Sequence, residues 1–207
     1  MNSRSHILAR VRRNQPAWRT LPEIPSFDRP LADPWAAFAT ALARMGGSVA
    51  VPPEGVALDA FIRARFPEAR VICSATPEVA GTRGISTVRH PTELEDVDVG
   101  VVRAPFGVAE TGSVWLSERE FIVNALGFLS QHLVVLLDPR AIVPDLHHAY
   151  RHAGFREARY AVFMTGPSAT ADIEGVLVRG AQGIRSLTVV AAPAADVDGV
   201  IEKGRTA

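Results

Sequence analysis

Residues 160–180 read Y-A-V-F-M-T-G-P-S-A-T-A-D-I-E-G-V-L-V-R-G. Tyr160 to Met164 is a short apolar run suited to a buried strand. Gly166-Pro167 then breaks it, because glycine frees φ while proline fixes φ and removes an amide donor. Ser168 and Thr170 are N-capping residue types, and Asp172 and Glu174 place carboxylates where a helix dipole favours them. Ile173, Val176 and Leu177 fall at i, i+3 and i+4, so the spacing predicts a helix after the turn. Strand, tight turn and capped helix belong to an open α/β sheet. There, a turn at the strand's carboxyl end offers amides and hydroxyls to a small ligand. Capping alone also accounts for each hydroxyl and acid, and that reading stays open.

The same rhythm extends toward the N-terminus. Trp35, Phe38, Leu42 and Met45 form a helical stripe, with Gly46-Gly47 as its C-cap pair. Val49-Ala50-Val51 reads as a strand, Leu58, Phe61, Ile62 and Phe66 as a helix, and Arg70 to Ser74 as the next strand. A β-α-β alternation predicts a mostly parallel central sheet flanked by helices. Val97 to Val102 is strand-like, and Val108 to Leu116 continues as strand after Ala104-Pro105-Phe106-Gly107. Leu133 to Leu137 is the most apolar strand, Ile142, Leu146, Ala149 and Tyr150 suggest a helix, and Leu187 to Ala191 is the last strand. The tail after Pro193 reads as surface.

The first 34 residues differ. Ser3 to Arg13 sets Ile7, Leu8 and Val11 at helical spacing among four arginines, as a docking helix would, or the start of a transit peptide. Five prolines between Asn14 and Pro34 then exclude helix and central strand. This is an extended arm, which Trp18, Leu21, Ile24 and Phe27 could pin to the domain or to a second copy in a homo-oligomer. The expected division is therefore an N-terminal helix and Pro-rich arm, 1–34, and one domain, 35–207.

With 22 basic and 22 acidic residues, the 207-residue chain has no net field to attract nucleic acid or an acidic membrane. Hydrophobic residues make up 47%, enough for a sizeable core. Cys73 is the single cysteine, so this chain cannot hold a Cys-ligated iron–sulfur cluster, and its setting predicts a buried strand residue. No apolar run approaches the ~20 residues of a membrane span and no signal-peptide pattern opens the chain. The expected compartment is the cytoplasm.

Glu110 stands in Ala109-Glu110-Thr111-Gly112-Ser113, beside groups that can donate hydrogen bonds. A carboxylate there could act as nucleophile or general base, or simply bond to loop amides. Arg83, Arg89 and Arg103 come from the loop-rich middle and could clamp a small carboxylate or phosphate. His148 and His152, at i and i+4, have the spacing of a metal-ligand pair but lack a clear third ligand, and surface histidines explain them equally.

G-P-S-A-T-A-D-I-E with L-V-R-G after it, and A-E-T-G-S at 109–113, resemble the two signatures of the LUD-domain family at its lactate-utilisation protein C branch. The likeness runs from about residue 35 to the end. It departs at Ala104-Pro105-Phe106, where family members often carry an acid, and at 124–129. The resemblance implies the fold shared by ribose-phosphate isomerase, glucosamine-phosphate deaminase and CoA transferases. It also implies an accessory or ligand-binding role in bacterial oxidation of L-lactate to pyruvate, alongside iron–sulfur partner proteins. The rival expectations are an enzyme acting on a small carboxylate, thioester or sugar phosphate through Glu110, and a small-anion sensor. The expected binding residues are Thr111, Gly112, Ser113, Gly166, Pro167, Ser168, Thr170, Asp172, Arg83 and Arg103.

Overall fold

The structure, a computed structural model, describes residues 2–25, 30–172 and 174–194. Helix α1 (Ser3–Arg13) and the arm lead to α2 (Pro34–Arg44), β1 (Ser48–Ala50) and α3 (Leu58–Arg65). Strands β2 (Ile72–Ser74), β3 (Arg83–Gly84), β4 (Val99–Arg103), β5 (Phe106–Val108) and β6 (Ser113–Ser117) follow. Short helices α4 (Glu118–Phe121) and α5 (Leu126–Leu129) precede β7 (His132–Leu137) and β8 (Ile142–Val143). Then come α6 (Leu146–Arg151), α7 (Gly154–Glu157), β9 (Ala161–Met164), β10 (Ala169–Thr170), β11 (Val178–Arg179) and β12 (Ser186–Ala191).

Six strands form one sheet in the order β1-β12-β7-β4-β2-β3, and every pairing in it is parallel. The α/β expectation of a mostly parallel sheet flanked by helices holds. Both faces are covered, as a parallel sheet requires. Along β7, Leu133, Val135 and Leu137 enter the larger core with Phe38 and Leu42 of α2, while Val134 and Leu136 enter a second core with Ile62 of α3. Cys73 is fully buried in β2, as expected, and burial pushes its thiol up from the ordinary range. A smaller sheet, β8-β5-β6-β9, packs beside the first. Strand β6 is shared between two cores by its pleat. Val114 and Leu116 join the larger core, and Trp115 joins an aromatic cluster with Phe106.

Helix α2 forms where its stripe predicts. The Asp33 carboxylate accepts from the Ala36 amide at 2.9 Å, Pro34 stands in the first turn, and Gly46, at φ +91°, ends the helix.

Four expectations are corrected. The helix after Ser168 is instead a two-stranded hairpin, Ala169 facing Arg179 and Thr170 facing Val178. Glu174 at φ +55° and Gly175 at φ +69° are left-handed and could not continue a right-handed helix. Val176 and Leu177 face solvent, and Ile173 lies outside the described residues. The strand expected over 108–116 is broken by a turn at 109–112, between antiparallel β5 and β6. Ile142 belongs to β8, so the helix starts only at Leu146. Finally, no residue of α1 is buried, and Trp18, Leu21 and Ile24 are exposed, so among the described residues the arm does not rest on the domain. Phe27 lies outside the described residues. Among those described, no helix is long and apolar enough to cross a membrane.

A candidate site at the strand ends

Both glycine signatures meet on the C-terminal end of α2. Gly112, at φ +67°, lies so close that a Cβ there would fall 2.1 Å from the Leu42 nitrogen. Gly166, at φ +74°, would put its Cβ 2.6 Å from the Met45 carbonyl. Only glycine permits both the conformation and the approach. The two turns are also tied to each other, because the Ser113 and Thr165 hydroxyls are hydrogen-bonded and Val114 pairs with Met164.

The polar residues around these turns disperse. Glu110 is exposed, its backbone amide donates to the Pro144 carbonyl, and its Oε2 accepts from the Leu146 amide at the start of α6. The Thr111 hydroxyl accepts from the Ser113 amide at 3.4 Å. Thr170 donates to Asp172 Oδ2 at 3.1 Å and accepts from its amide at 3.3 Å, a local turn. Pro167 is buried, and exposed Ser168 borders a mostly apolar hollow of about 270 Å³ with Phe163 and Ile184. Arg83 is held elsewhere by a two-pronged pair with Asp96, 2.7 Å on each prong, and Arg89 is exposed. His148 Nδ1 lies 2.8 Å from Asp145 Oδ1. His152 sits past the helix, at its C-cap, so the i, i+4 face is not realised. Its ring packs 4.5 Å from Phe106 and its Nδ1 accepts from the Gly154 amide. Among the described residues no three acidic, His or Cys side chains gather as a metal site.

Arg103 leads elsewhere. It lines an open cleft of about 490 Å³ formed just past the carboxyl ends of β2, β4, β7 and β12, by Thr76, Glu78, Pro105, Asp138 and Ala194 among others. The connection leaving β2 runs outward to β3, whereas that leaving β4 runs the opposite way to β7. The gap between β2 and β4 is therefore the switch point at which open α/β sheets bind ligands. Arg103 donates to Glu78 and, at 3.0 Å, to the Ala192 carbonyl, which fixes its guanidinium at the rim. Asp138 accepts from the Arg140 side chain and from the amides of Arg140 and Ala194. The Arg140 side chain first, then those amides, hold the Asp138 carboxyl well below the usual carboxylate range, against the opposing effect of burial. Thr76 is held by Ser74, whose hydroxyl donates to the Thr76 carbonyl at 2.9 Å and accepts from its amide. The Thr76 hydroxyl itself is buried with no hydrogen-bond partner among the described residues.

The LUD-domain family model matches residues 87–191, just over half of the chain. The chain belongs to the LUD-domain family. A protein of Escherichia coli (strain K12) named uncharacterized protein YkgG is 32% identical over 98 residues, covering 44% of this LUD-domain chain and 42% of that protein. Lactate utilization protein C of Geobacillus thermodenitrificans is 26% identical over 148 residues, covering 67% of this chain and 59% of that one. The namesake protein of Geobacillus kaustophilus is 28% identical over the same shares. The matches thus span 42% to 59% of those relatives' own length. The crystal structure of a DUF162 family protein from Deinococcus radiodurans shares the fold, with a TM-score of 0.61 at 18% identity over 78% of this chain and 99% of that one.

Within this LUD domain the sequence motifs point to α2, and the strand-end cleft lies apart from them. Sequence reasoning reached Arg103 but passed over Thr76, Glu78, Arg119 and Asp138. A signal was present: S-A-T-P-E at 74–78, R-A-P at 103–105 and D-P-R at 138–140 each put polar residues and a proline directly after an apolar strand.

Proposed function

We propose that this chain is a ligand-binding component of a bacterial L-lactate utilisation system. It holds a small hydroxy or keto carboxylate in the strand-end cleft, while partner proteins bearing iron–sulfur clusters move the electrons. The observation that carries this reading is the Thr76 hydroxyl, buried and unpartnered among the described residues, at the switch point beside Arg103. A buried hydroxyl without a partner is costly, and a ligand oxygen relieves that cost. Arg103 and Arg119, both in the cleft lining and paired with Glu78 and Glu157, are the guanidiniums that a ligand carboxylate would engage in competition with those side chains. The names of the two Geobacillus relatives support lactate as the metabolic setting.

Two measurements test it together. Deleting the gene is expected to abolish growth on L-lactate while growth on glucose continues; undiminished growth on lactate removes the reading. In the purified protein, L-lactate is expected to raise the melting temperature in a concentration-dependent way. Thr76→Val is expected to weaken that response about tenfold, the loss of one ligand hydrogen bond, with the unliganded protein no less stable.

A further inference from the structure

We propose that a second pocket, adjoining the strand-end cleft, binds a neutral planar carboxamide or lactam through the indole of Trp115. The pocket has a volume of about 250 Å³ and shares Pro105, Arg119 and Glu120 with the cleft. Trp115 lines it from β6 and is 3% exposed. Its indole N–H is buried with no acceptor among the described residues. An indole can only donate, so an acceptor oxygen is what this site lacks. Three buried side-chain polar atoms lack partners among the described residues; two of them belong to residues that line the two adjoining spaces, Thr76 and Trp115, and the third belongs to Asn124, which lines neither.

The other groups choose the ligand's charge and shape. His152 Nδ1 accepts from the Gly154 amide at 3.2 Å, so a neutral ring carries its proton on Nε2 as a further donor. Arg119 is the one cation in the lining, set against two carboxylates, Glu120 and Glu157, and it is paired with Glu157 at 2.7 Å. A second anion would meet net negative charge, which selects a neutral acceptor. Glu120 Oε2 already accepts from the amide and hydroxyl of Ser117, at 2.7 and 2.6 Å. Its Oε1 has no partner among the described residues and suits an amide N–H. An acceptor for Trp115 and a donor for Glu120 on one flat group is a carboxamide or lactam. Trp115 is the aromatic residue of β6 in the lining, its ring held by stacking on Phe106 at 5.5 Å and 11°, and an aromatic wall suits a ring that carries the amide.

This inference does not depend on what fills the strand-end cleft. Nicotinamide serves as the probe, nicotinic acid as its anionic counterpart on the same ring, and binding is read by thermal shift and tryptophan emission on the full chain. Nicotinamide is expected to bind and nicotinic acid to bind more weakly. Trp115→Phe, which keeps an aromatic side chain, though a smaller one, and removes the N–H, is expected to weaken nicotinamide about tenfold. Ala153→Leu, at an exposed lining position, is expected to block the pocket without lowering the melting temperature. Equal nicotinamide affinity in wild type and Trp115→Phe overturns the proposal, as does tighter binding of the acid or no binding of the amide. A lactate response intact under those same outcomes leaves the cleft reading standing, so the two fail separately.

Discussion

The junction of the two glycine turns and the cleft at the strand ends are opposite kinds of region. At the junction, Gly112 and Gly166 are pressed on the backbone at the end of α2, and the Ser113 and Thr165 hydroxyls satisfy each other. At the cleft the ion pairs are also formed, yet one buried hydroxyl has no partner among the described residues and the space is open. The junction carries the residues that stand out as motifs. The cleft carries fragments of four separate loops. Recognisable signatures can mark where a fold must close tightly, while the cleft proposed to bind is assembled from positions with no pattern of their own.

The most severe way to break that contrast is Gly112→Ala. The new methyl would lie 2.1 Å from the Leu42 nitrogen and 2.5 Å from its Cα, on a residue at φ +67°. Overpacking against backbone together with left-handed strain is expected to cost upward of about 4 kcal/mol. In a domain of this size that lowers the melting temperature by roughly 10 °C or more. Gly55, at φ +77° with no atom within 4 Å, is the control. Gly55→Ala pays only the conformational term, about 1 kcal/mol. Equal melting temperatures for the two variants would mean that the junction is not tightly closed.

Next in size is Asp138→Asn at the cleft, expected to cost about 2 kcal/mol at neutral pH through the weakened Arg140 and Ala194 bonds. The estimate leans on the two backbone amides, because Arg140 is 64% exposed and its charge is screened. The sign with pH follows from the direction of the shift. The carboxyl is depressed in the folded protein, so its contribution is complete above the unfolded value near pH 4. It is lost as pH falls below that, toward the folded value. Melting curves from pH 7 to pH 3 should show a steep acid decline in wild type and a shallower one in Asp138→Asn. Parallel declines would remove Asp138 as an organiser of the cleft wall.

How much of this was legible differs by element for physical reasons. Strands β7 and β12 and helix α2 were readable because each buries a face, and burial imposes a period on the residues. Cys73 was readable for the same reason. The hairpin at 169–179 was misread as a helix because Ser, Thr, Asp and Glu suit helix caps and local turns alike, and the left-handed pair at 174–175 leaves only a glycine as its mark. Glu110 was misplaced into a strand because Ala109 and Val108 are as buried as strand residues while the chain is already turning. The cleft itself was opaque. Thr76, Arg103 and Asp138 are neighbours only once strand order is known, and one sequence does not state that order.

The finest test returns to the bond between the signatures. Thr165→Val leaves the hydroxyl of Ser113, a residue 5% exposed, facing a methyl. An orphaned buried hydroxyl is expected to cost about 1–2 kcal/mol in denaturant melts. Removing both partners, in Ser113→Ala with Thr165→Val, abolishes the orphan and should cost less than the single change, within about 1 kcal/mol of wild type. That sub-additivity is the mark of a bond whose role is to close the junction. If instead the double variant costs the sum of the two singles, each hydroxyl has a separate partner. The junction would then hold spare hydrogen-bonding capacity, as the cleft does, and the contrast between the two regions would be lost.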